Sequence, residues 1–169
     1  MSNAPHILLK RYKNRGIFVD TNLLLLWFVG ALDKQLIPRF KRTQQFAPED
    51  FDTLDRFVAY FKTRVTLPNV LTEVSNLAGQ LGERAQSFFT DVFSKAIRNL
   101  DERYISSVSV LDDSTFPRFG LTDSCIMSLV RNNYLLLTDD FRLSQFFSSV
   151  GGHAINFNHI RVMNWRQEG

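Results

Sequence analysis

The sequence feature that most constrains the fold is a short apolar segment that ends in three polar residues. Residues 17–19 are β-branched or aromatic and predict a buried strand, whereas the apolar run at residues 23–32 predicts a helix. Asp20, Thr21 and Asn22 lie at the junction between the two. In an open α/β sheet the carboxyl ends of the strands border the ligand crevice, so a carboxylate at this junction stands where such folds carry out their chemistry.

Strand-like and helix-like segments alternate along the rest of the chain. The predicted strands span residues 17–19, 64–67, 134–138 and 153–157, and the predicted helices span residues 23–32, 48–61, 69–79, 83–99, 124–131 and 141–149. Residues 112–120 are predicted to form a loop, and residues 104–111 fit no single period. The alternation predicts an α/β fold, as one three-layer domain over residues 1–169 with a central, mostly parallel sheet flanked by helices.

The composition bears on the cellular compartment, on membrane association and on the kinds of site that the chain can form. The single cysteine, Cys125, excludes an intramolecular disulfide and indicates a reducing, cytoplasmic environment. The apolar run at residues 23–32 is about half of the roughly 20 residues that a bilayer requires, so we expect a core helix and no membrane partner. The three histidines are scattered and form neither a triad nor a zinc pattern with Cys125.

Positive charge is concentrated near the N-terminus. Residues 1–42 carry eight Lys/Arg and two Asp/Glu, a balance of +6, whereas the remainder carries 12 and 15, a balance of −3. A basic N-terminal segment, most marked in residues 1–14, beside an acidic body is typical of a protein that binds a polyanion. A solvated surface with no partner has the same composition, so charge alone leaves both interpretations open.

Four acidic residues lie where a predicted strand ends or a predicted helix begins: Asp20, Glu73, Asp123 and Asp140. Each has an ordinary structural explanation, because Asp caps helix N-termini and acids in the first turn complement the helix dipole. Together they would lie at one edge of a parallel sheet, where carboxylates repel one another and raise some of their pKa values. A hard divalent cation such as Mg²⁺ or Mn²⁺ relieves that repulsion, so the set predicts a metal site.

Four short motifs surround these acids. They are Val-Asp-Thr-Asn at residues 19–22, Asn-Val-Leu-Thr-Glu-Val at 69–74, Gly-Leu-Thr-Asp-Ser at 120–124 and Leu-Thr-Asp-Asp-Phe-Arg-Leu at 137–143. In their order and spacing the chain resembles the PIN-domain nucleases, particularly the small bacterial toxin-type ribonucleases. The resemblance implies that Asp20, Glu73, Asp123 and Asp140 are catalytic metal ligands, supported by Asn22, Thr138 and Asp139. The fourth family acid usually stands two residues after a threonine, which selects Asp140 and keeps Asp139 as its alternative.

The resemblance implies a Mg²⁺- or Mn²⁺-dependent endoribonuclease that hydrolyses phosphodiester bonds in single-stranded or structured RNA. For a toxin-type member it further implies an antitoxin protein partner and a homodimer. Metal-bound carboxylates neutralise the attacked phosphate and activate water, so no protein nucleophile is needed. In this interpretation four basic side chains are candidate contacts to the RNA backbone, namely Arg11, Lys13, Arg15 and Arg142.

Two other classes of protein remain open. A catalytically silent PIN-like scaffold that binds RNA or a protein would keep the same acids, and it would bind divalent metal without turnover. A phosphatase of another acid-dependent α/β family often has a second Asp two residues after the first, where this chain has Asn22. The Phe-rich helical region at residues 50–61 departs from the family pattern and bears on the partner surface and on substrate specificity.

Overall fold

The computed structural model describes residues 4–131 and 133–163. The strands are β1 (Ile17–Val19), β2 (Arg64–Thr66), β3 (Asp101–Glu102), β4 (Leu135–Thr138) and β5 (Ala154–Asn156). The α-helices are α1 (Ala4–Tyr12), α2 (Thr21–Leu32), α3 (Pro48–Ala59), α4 (Pro68–Ala78), α5 (Ala85–Ser87), α6 (Ser94–Ile97), α7 (Phe116–Phe119), α8 (Leu121–Val130), α9 (Phe141–Ser149) and α10 (Phe157–Met163). Short 3₁₀ turns at Lys34–Leu36, Gly79–Arg84 and Ser107–Val110 and a π-helical turn at Phe88–Phe93 complete the description.

A five-stranded sheet with the order β3-β2-β1-β4-β5 forms the centre of the molecule. Every neighbouring pair is parallel, and β1 lies in the middle, with Ile17 opposite Arg64 of β2 on one side and Leu135 of β4 on the other. Helices connect the strands and surround the sheet. The predicted three-layer α/β fold class is therefore confirmed, and the sheet is entirely parallel within the described residues.

The apolar run after β1 is a core helix. Leu23, Leu25 and Leu26 of α2 are fully buried, as are Ile17 and Phe18 of β1. Burying such large side chains contributes about 1.5–3 kcal/mol each, so the β1–α2 unit anchors the hydrophobic core. None of the helices within the described residues is long and apolar enough to span a membrane.

The structure differs from the prediction over residues 83–99 and 101–102. The predicted single helix is divided into α5, the π-helical turn Phe88–Phe93 and α6. The rings of Phe88, Phe89 and Phe93 pack against one another with centroids 5.4–5.9 Å apart, which is the distance that favours aromatic pairs. The two residues of β3 are polar and pair only with β2, so no apolar alternation indicated a strand there.

Three further segments were predicted only in part. The predicted loop at residues 112–120 contains the short helix α7, which begins beside Pro117. The last strand ends at Asn156 rather than at residue 157, because α10 begins with Phe157. The basic N-terminal segment predicted for residues 1–14 includes the helix α1 from Ala4 onward.

We predict that Gly30→Ala destabilises the fold although alanine is the better helix former. A Cβ at Gly30 would overlap the Phe51 ring and lie 2.9 Å from the Cβ of Phe51, so α2 and α3 would have to move apart. Overpacking of this kind costs typically about 1–3 kcal/mol. At Gly79 a Cβ would meet nothing within 4 Å, so Gly79→Ala is the matched control and should be neutral or slightly stabilising. Urea unfolding measures both, and equal effects would contradict the close approach of the two helices.

Candidate active site

The parallel sheet brings two acids together at its carboxyl edge. Asp20 follows the last residue of β1 directly, and Asp139 follows the last residue of β4. The two strands are paired in register, with Val19 opposite Leu137, and the backbone N–H of Asp20 donates to the Leu137 carbonyl at 3.0 Å. Asp20 therefore lies level with Thr138, one residue before Asp139 on the neighbouring strand.

A crevice of about 540 Å³ opens at this edge of the sheet. It collects side chains from the starts of α2, α8 and α9 and from the second turn of α4. Its lining includes the four acids Asp20, Glu73, Asp123 and Asp140, together with Thr21, Asn22 and Thr122. The structure thus brings together in one crevice carboxylates that are up to 120 residues apart in the sequence, since the set begins at Asp20 and ends at Asp140.

Asp20 is the most deeply buried of these acids, with 7% of its surface exposed. Its Oδ1 accepts a hydrogen bond from the Leu23 backbone N–H at 3.2 Å, which caps α2, and the Thr138 hydroxyl also hydrogen-bonds to the carboxylate. Burial and, next, the charge of Asp139 raise the pKa of Asp20 to about 8 despite these hydrogen bonds. Removing this carboxylate from water thus outweighs the hydrogen bonds that it accepts.

Electrostatic repulsion connects Asp20 to the other acids of the crevice. Burial and repulsion from Asp140 and Glu73 raise the pKa of Asp123 to about 6, and Asp123 in turn contributes to the raised pKa of Asp20. Burial also raises the pKa of Asp139, although a hydrogen bond from Asn22 opposes it. Asp20 is thus repelled by Asp139 and Asp123, and Asp123 is repelled by Asp140 and Glu73. Electrostatic repulsion therefore links all five carboxylates.

Glu73 is held by two threonine hydroxyls from different helices. Thr21 Oγ1 donates to Glu73 Oε2, and Thr122 Oγ1 donates to Glu73 Oε1, each at 2.9 Å. Thr122 does not cap α8, although threonine is a favoured cap residue, because the helix begins at Leu121 with Gly120 in the cap position at φ 84°. Thr122 is free to orient Glu73 instead. Both threonines stand next to an acid in the sequence, a signal that the sequence analysis did not use.

The two adjacent acids after β4 have different surroundings. Asp140 is exposed and caps α9, because its Oδ1 accepts from the Leu143 N–H at 3.0 Å. Asp139 is half-buried, and its Oδ1 accepts from Asn22 Nδ2 at 3.3 Å. Asp139 acts electrostatically on Asp20, whereas Asp140 acts on Asp123. Asp140 therefore lines the crevice itself, whereas Asp139 acts on the crevice through Asp20.

The donor chemistry of the crevice fits Mg²⁺ or Mn²⁺, since it offers carboxylate and hydroxyl oxygens. Across residues 4–131 and 133–163, however, no three His, Cys, Asp or Glu side chains stand in a geometry that could hold a metal ion. Both oxygens of Glu73 are occupied by threonines. Magnesium sites commonly use one or two carboxylates with waters and substrate phosphates, so Asp20 and Asp123 are the residues that would hold an ion here.

The structure separates the basic side chains that were predicted to contact RNA. Three of them lie at the amino edge of the sheet, at the end of α1 or just before β1, and these are Arg11, Lys13 and Arg15. At the same edge Tyr12 contacts His153, which precedes β5, with 2.7 Å between Tyr12 Oη and His153 Nδ1. The acids lie beyond the opposite ends of these strands. Arg142 is the exception, because it lies in the first turn of α9, two residues after Asp140.

We predict that Asp20→Asn stabilises the metal-free protein. In the unfolded chain the pKa of Asp20 is near 3.8, whereas in the folded chain it is about 8, so wild-type stability falls as the pH rises through this range. Asparagine retains the helix cap and does not titrate. In EDTA at pH 7 the free energy of unfolding should rise by about 2–4 kcal/mol, because each pKa unit crossed above 3.8 is worth about 1.4 kcal/mol, with the gain widening from about pH 4 to about pH 8.

The matched control for this substitution is Asp33→Asn. Asp33 also caps a helical turn, since its Oδ1 accepts from the Gln35 N–H at 2.9 Å, but it lies outside the crevice. Its replacement should change stability by less than about 0.5 kcal/mol at every pH. Chemical denaturation between pH 5 and pH 8.5 compares the two variants. A loss of stability in Asp20→Asn would contradict the electrostatic description of the crevice.

Comparisons with protein-family models, with curated proteins and with solved structures gave no match. The likeness to PIN-domain nucleases therefore rests on the four motifs of the sequence. It remains a prediction about an α/β protein whose motif acids line one crevice.

Proposed function

We propose that this protein is a Mg²⁺- or Mn²⁺-dependent endoribonuclease whose active site is the acidic crevice. The observation that supports the proposal is the convergence of Asp20, Glu73, Asp123 and Asp140 from separate segments on the carboxyl edge of the sheet. Helix capping explains Asp20 and Asp140 as single residues, but it does not explain why Asp20 and Asp123 are desolvated beside other acids. Strongly perturbed carboxylates in a cleft are typical of functional sites.

In this proposal the carboxylates serve as ligands rather than as nucleophiles. A divalent ion held by Asp20 and Asp123 would neutralise the attacked phosphate and lower the pKa of a bound water. Thr138 orients Asp20, since its hydroxyl hydrogen-bonds to the carboxylate while its Oγ1 accepts from the Asp140 N–H at 3.0 Å. Thr21 and Thr122 orient Glu73 by donating a hydrogen bond to each of its carboxylate oxygens. The role of the protein is therefore to position the carboxylates that bind the ion.

The choice of a phosphodiester rather than a phosphomonoester as substrate follows from the residue two positions after Asp20. A carboxylate at that position would favour the phosphatase alternative. This chain has Asn22 there instead, and Asn22 donates a hydrogen bond to Asp139, the acid whose charge raises the pKa of Asp20. The resemblance of the motifs favours RNA over DNA. Arg142 beside the crevice adds positive charge that suits the RNA backbone.

We predict that Asp20→Asn and Asp123→Asn each lower the rate of RNA cleavage by a factor of at least about 100, because an open metal site with one carboxylate fewer binds its ion poorly. Asp33→Asn, which alters a cap outside the crevice, should keep the wild-type rate. The assay is cleavage of a fluorescent single-stranded RNA in Mg²⁺, in Mn²⁺ and in EDTA, with circular dichroism to verify folding.

The same assay separates the proposal from its main alternative. Cleavage that survives EDTA, or that Asp20→Asn leaves intact, would refute a metal-dependent mechanism at this crevice. A wild-type protein that binds Mn²⁺ in a manner dependent on Asp20 and Asp123, but cuts no single-stranded RNA, would instead be the catalytically silent scaffold. Isothermal titration with MnCl₂ supplies that second measurement independently of turnover.

A further inference from the structure

A second and larger cavity lies next to the acidic crevice. This groove, of about 1130 Å³, is bounded mainly by α1, α9, β5 and α10, with single residues from α3 and α7. It adjoins the crevice at the start of α9, where Asp140 lines the crevice and the next two residues, Phe141 and Arg142, line the groove. Among the described residues, two arginines and a histidine line the groove, and no Asp or Glu does. The groove is thus electrostatically opposite to the crevice that it adjoins.

The two arginines of the groove, Arg118 and Arg142, both lie close to the Phe119 ring. The Phe119 and Phe146 rings are 4.9 Å apart, and the guanidinium carbons of Arg118 and Arg142 lie 5.2 and 5.3 Å from the Phe119 centroid. Neither arginine forms an ion pair within the part of the chain that the structure describes. A phosphate is an anion that guanidinium groups bind through paired hydrogen bonds, so these two arginines suit a phosphate ligand.

A buried amide provides an independent sign of a ligand. Asn156, at the end of β5, lines the groove and is only 6% exposed. Its Oδ1 accepts from the Asn158 N–H at 2.9 Å, which assigns the other amide atom as a donor. That donor, Nδ2, is buried and has no acceptor among the described residues. An unsatisfied buried donor is rare and costly, and an acceptor on a bound molecule would satisfy it.

We propose that this groove binds the nucleotide of an RNA strand that flanks the phosphate held in the acidic crevice. The phosphate of that nucleotide lies against Arg118 and Arg142, and its base lies against the apolar wall near Phe141. Phe141 is 56% exposed at the groove mouth, so its ring face is available to stack on an unpaired base. The statement that the RNA strand continues from the groove into the crevice rests on the proposed function, whereas the statement that RNA binds in the groove does not.

An unpaired RNA strand fits these features better than an acidic protein segment does. A peptide carboxylate would pair with the arginines, but it would leave the exposed Phe141 ring without a flat partner. A nucleotide supplies the anion, the ring face and carbonyl acceptors within a single unit. Its backbone also continues directly into the adjoining crevice, where the carboxylates of the proposed active site lie.

The first experiment measures RNA binding without cleavage. In the Asp20→Asn background and in EDTA, fluorescence anisotropy with an eight-nucleotide single-stranded RNA compares the parent with Arg118→Gln/Arg142→Gln. The double variant loses two arginine–phosphate contacts and the guanidinium groups that lie over the Phe119 ring. Its affinity for the RNA should therefore fall about 10- to 100-fold at about 0.1 M salt. The matched control is Lys95→Ala/Arg98→Ala, which removes the same charge from exposed positions on and beside α6 and should change affinity less than about threefold.

The second experiment locates the RNA on the protein. RNA that carries 5-iodouridine crosslinks to nearby aromatic side chains under ultraviolet light, and mass spectrometry of the digest identifies the peptide. Crosslinks within residues 141–160 are expected, and Phe141→Leu should reduce their yield. Crosslinks confined to residues 4–15, or equal affinity in the arginine and control variants, would overturn the proposal.

These measurements distinguish the nuclease proposal for the crevice from the nucleotide-binding proposal for the groove. If the wild-type protein cuts no RNA but the arginine variant loses affinity and the crosslinks lie in the groove, the nuclease proposal fails and the groove assignment stands. If the wild-type protein cuts RNA but Arg118→Gln/Arg142→Gln binds RNA like its Asp20→Asn parent, the groove assignment fails alone. Binding of a poly-glutamate peptide that the arginine variant loses, with RNA affinity unchanged, would assign the groove to an acidic protein and refute a nucleotide site.

Discussion

The parallel pairing of β1 with both β2 and β4 is the constraint on which the rest of the structure depends. It places the carboxyl ends of three strands within one residue of the same level, so that Asp20 and Asp139 emerge from neighbouring strands at one edge of the sheet. Phe18 and Leu136, which are opposite each other in the sheet, are fully buried, and the rest of both strands is also buried. A slip of one residue between β1 and β4 would shift Asp20 along the sheet edge relative to Asp139.

Crowding of carboxylates at that edge is unfavourable for the folded chain. Desolvation of Asp20 is only partly offset by the Thr138 hydroxyl and the Leu23 N–H, and both burial and neighbouring acids raise the pKa of Asp123. The apolar packing of α2 supplies the stability that tolerates this crowding. Natural sequences retain such features mainly where function requires them, since a substitution to an uncharged residue would stabilise the fold. Capping and ligation are compatible roles for one carboxylate, because Asp20 uses Oδ1 as a cap and has a second oxygen.

The parts of the fold that the sequence predicted are those with a strong local signal. The β1–α2 and β4–α9 junctions each combine an apolar strand, an acidic cap and a helix, which is apolar in α2 and amphipathic in α9, and the structure places them as predicted. β3 has no such signal, because its two polar residues become a strand only by pairing with β2. The position of Lys13 and Arg15 at the amino edge could have been predicted from the sequence, since residues that precede a parallel strand lie at its amino end. Arg118 was missed because the Phe146 ring over which its guanidinium lies is 28 residues away in the sequence.

The first turn of α9 connects the two cavities mechanically. Asp140 caps this turn through the Leu143 N–H, and its own N–H donates to Thr138, so the turn is tied to the end of β4. Phe141 and Arg142, which line the groove, are therefore held at a fixed offset from Asp20, whose carboxylate hydrogen-bonds to the same Thr138 hydroxyl. Side chains on a rigid element position a ligand more precisely than side chains on a loop. Under the two proposals, an RNA strand seated in the groove would be presented to the crevice acids in one register, which is the geometric requirement for cutting at a defined phosphate.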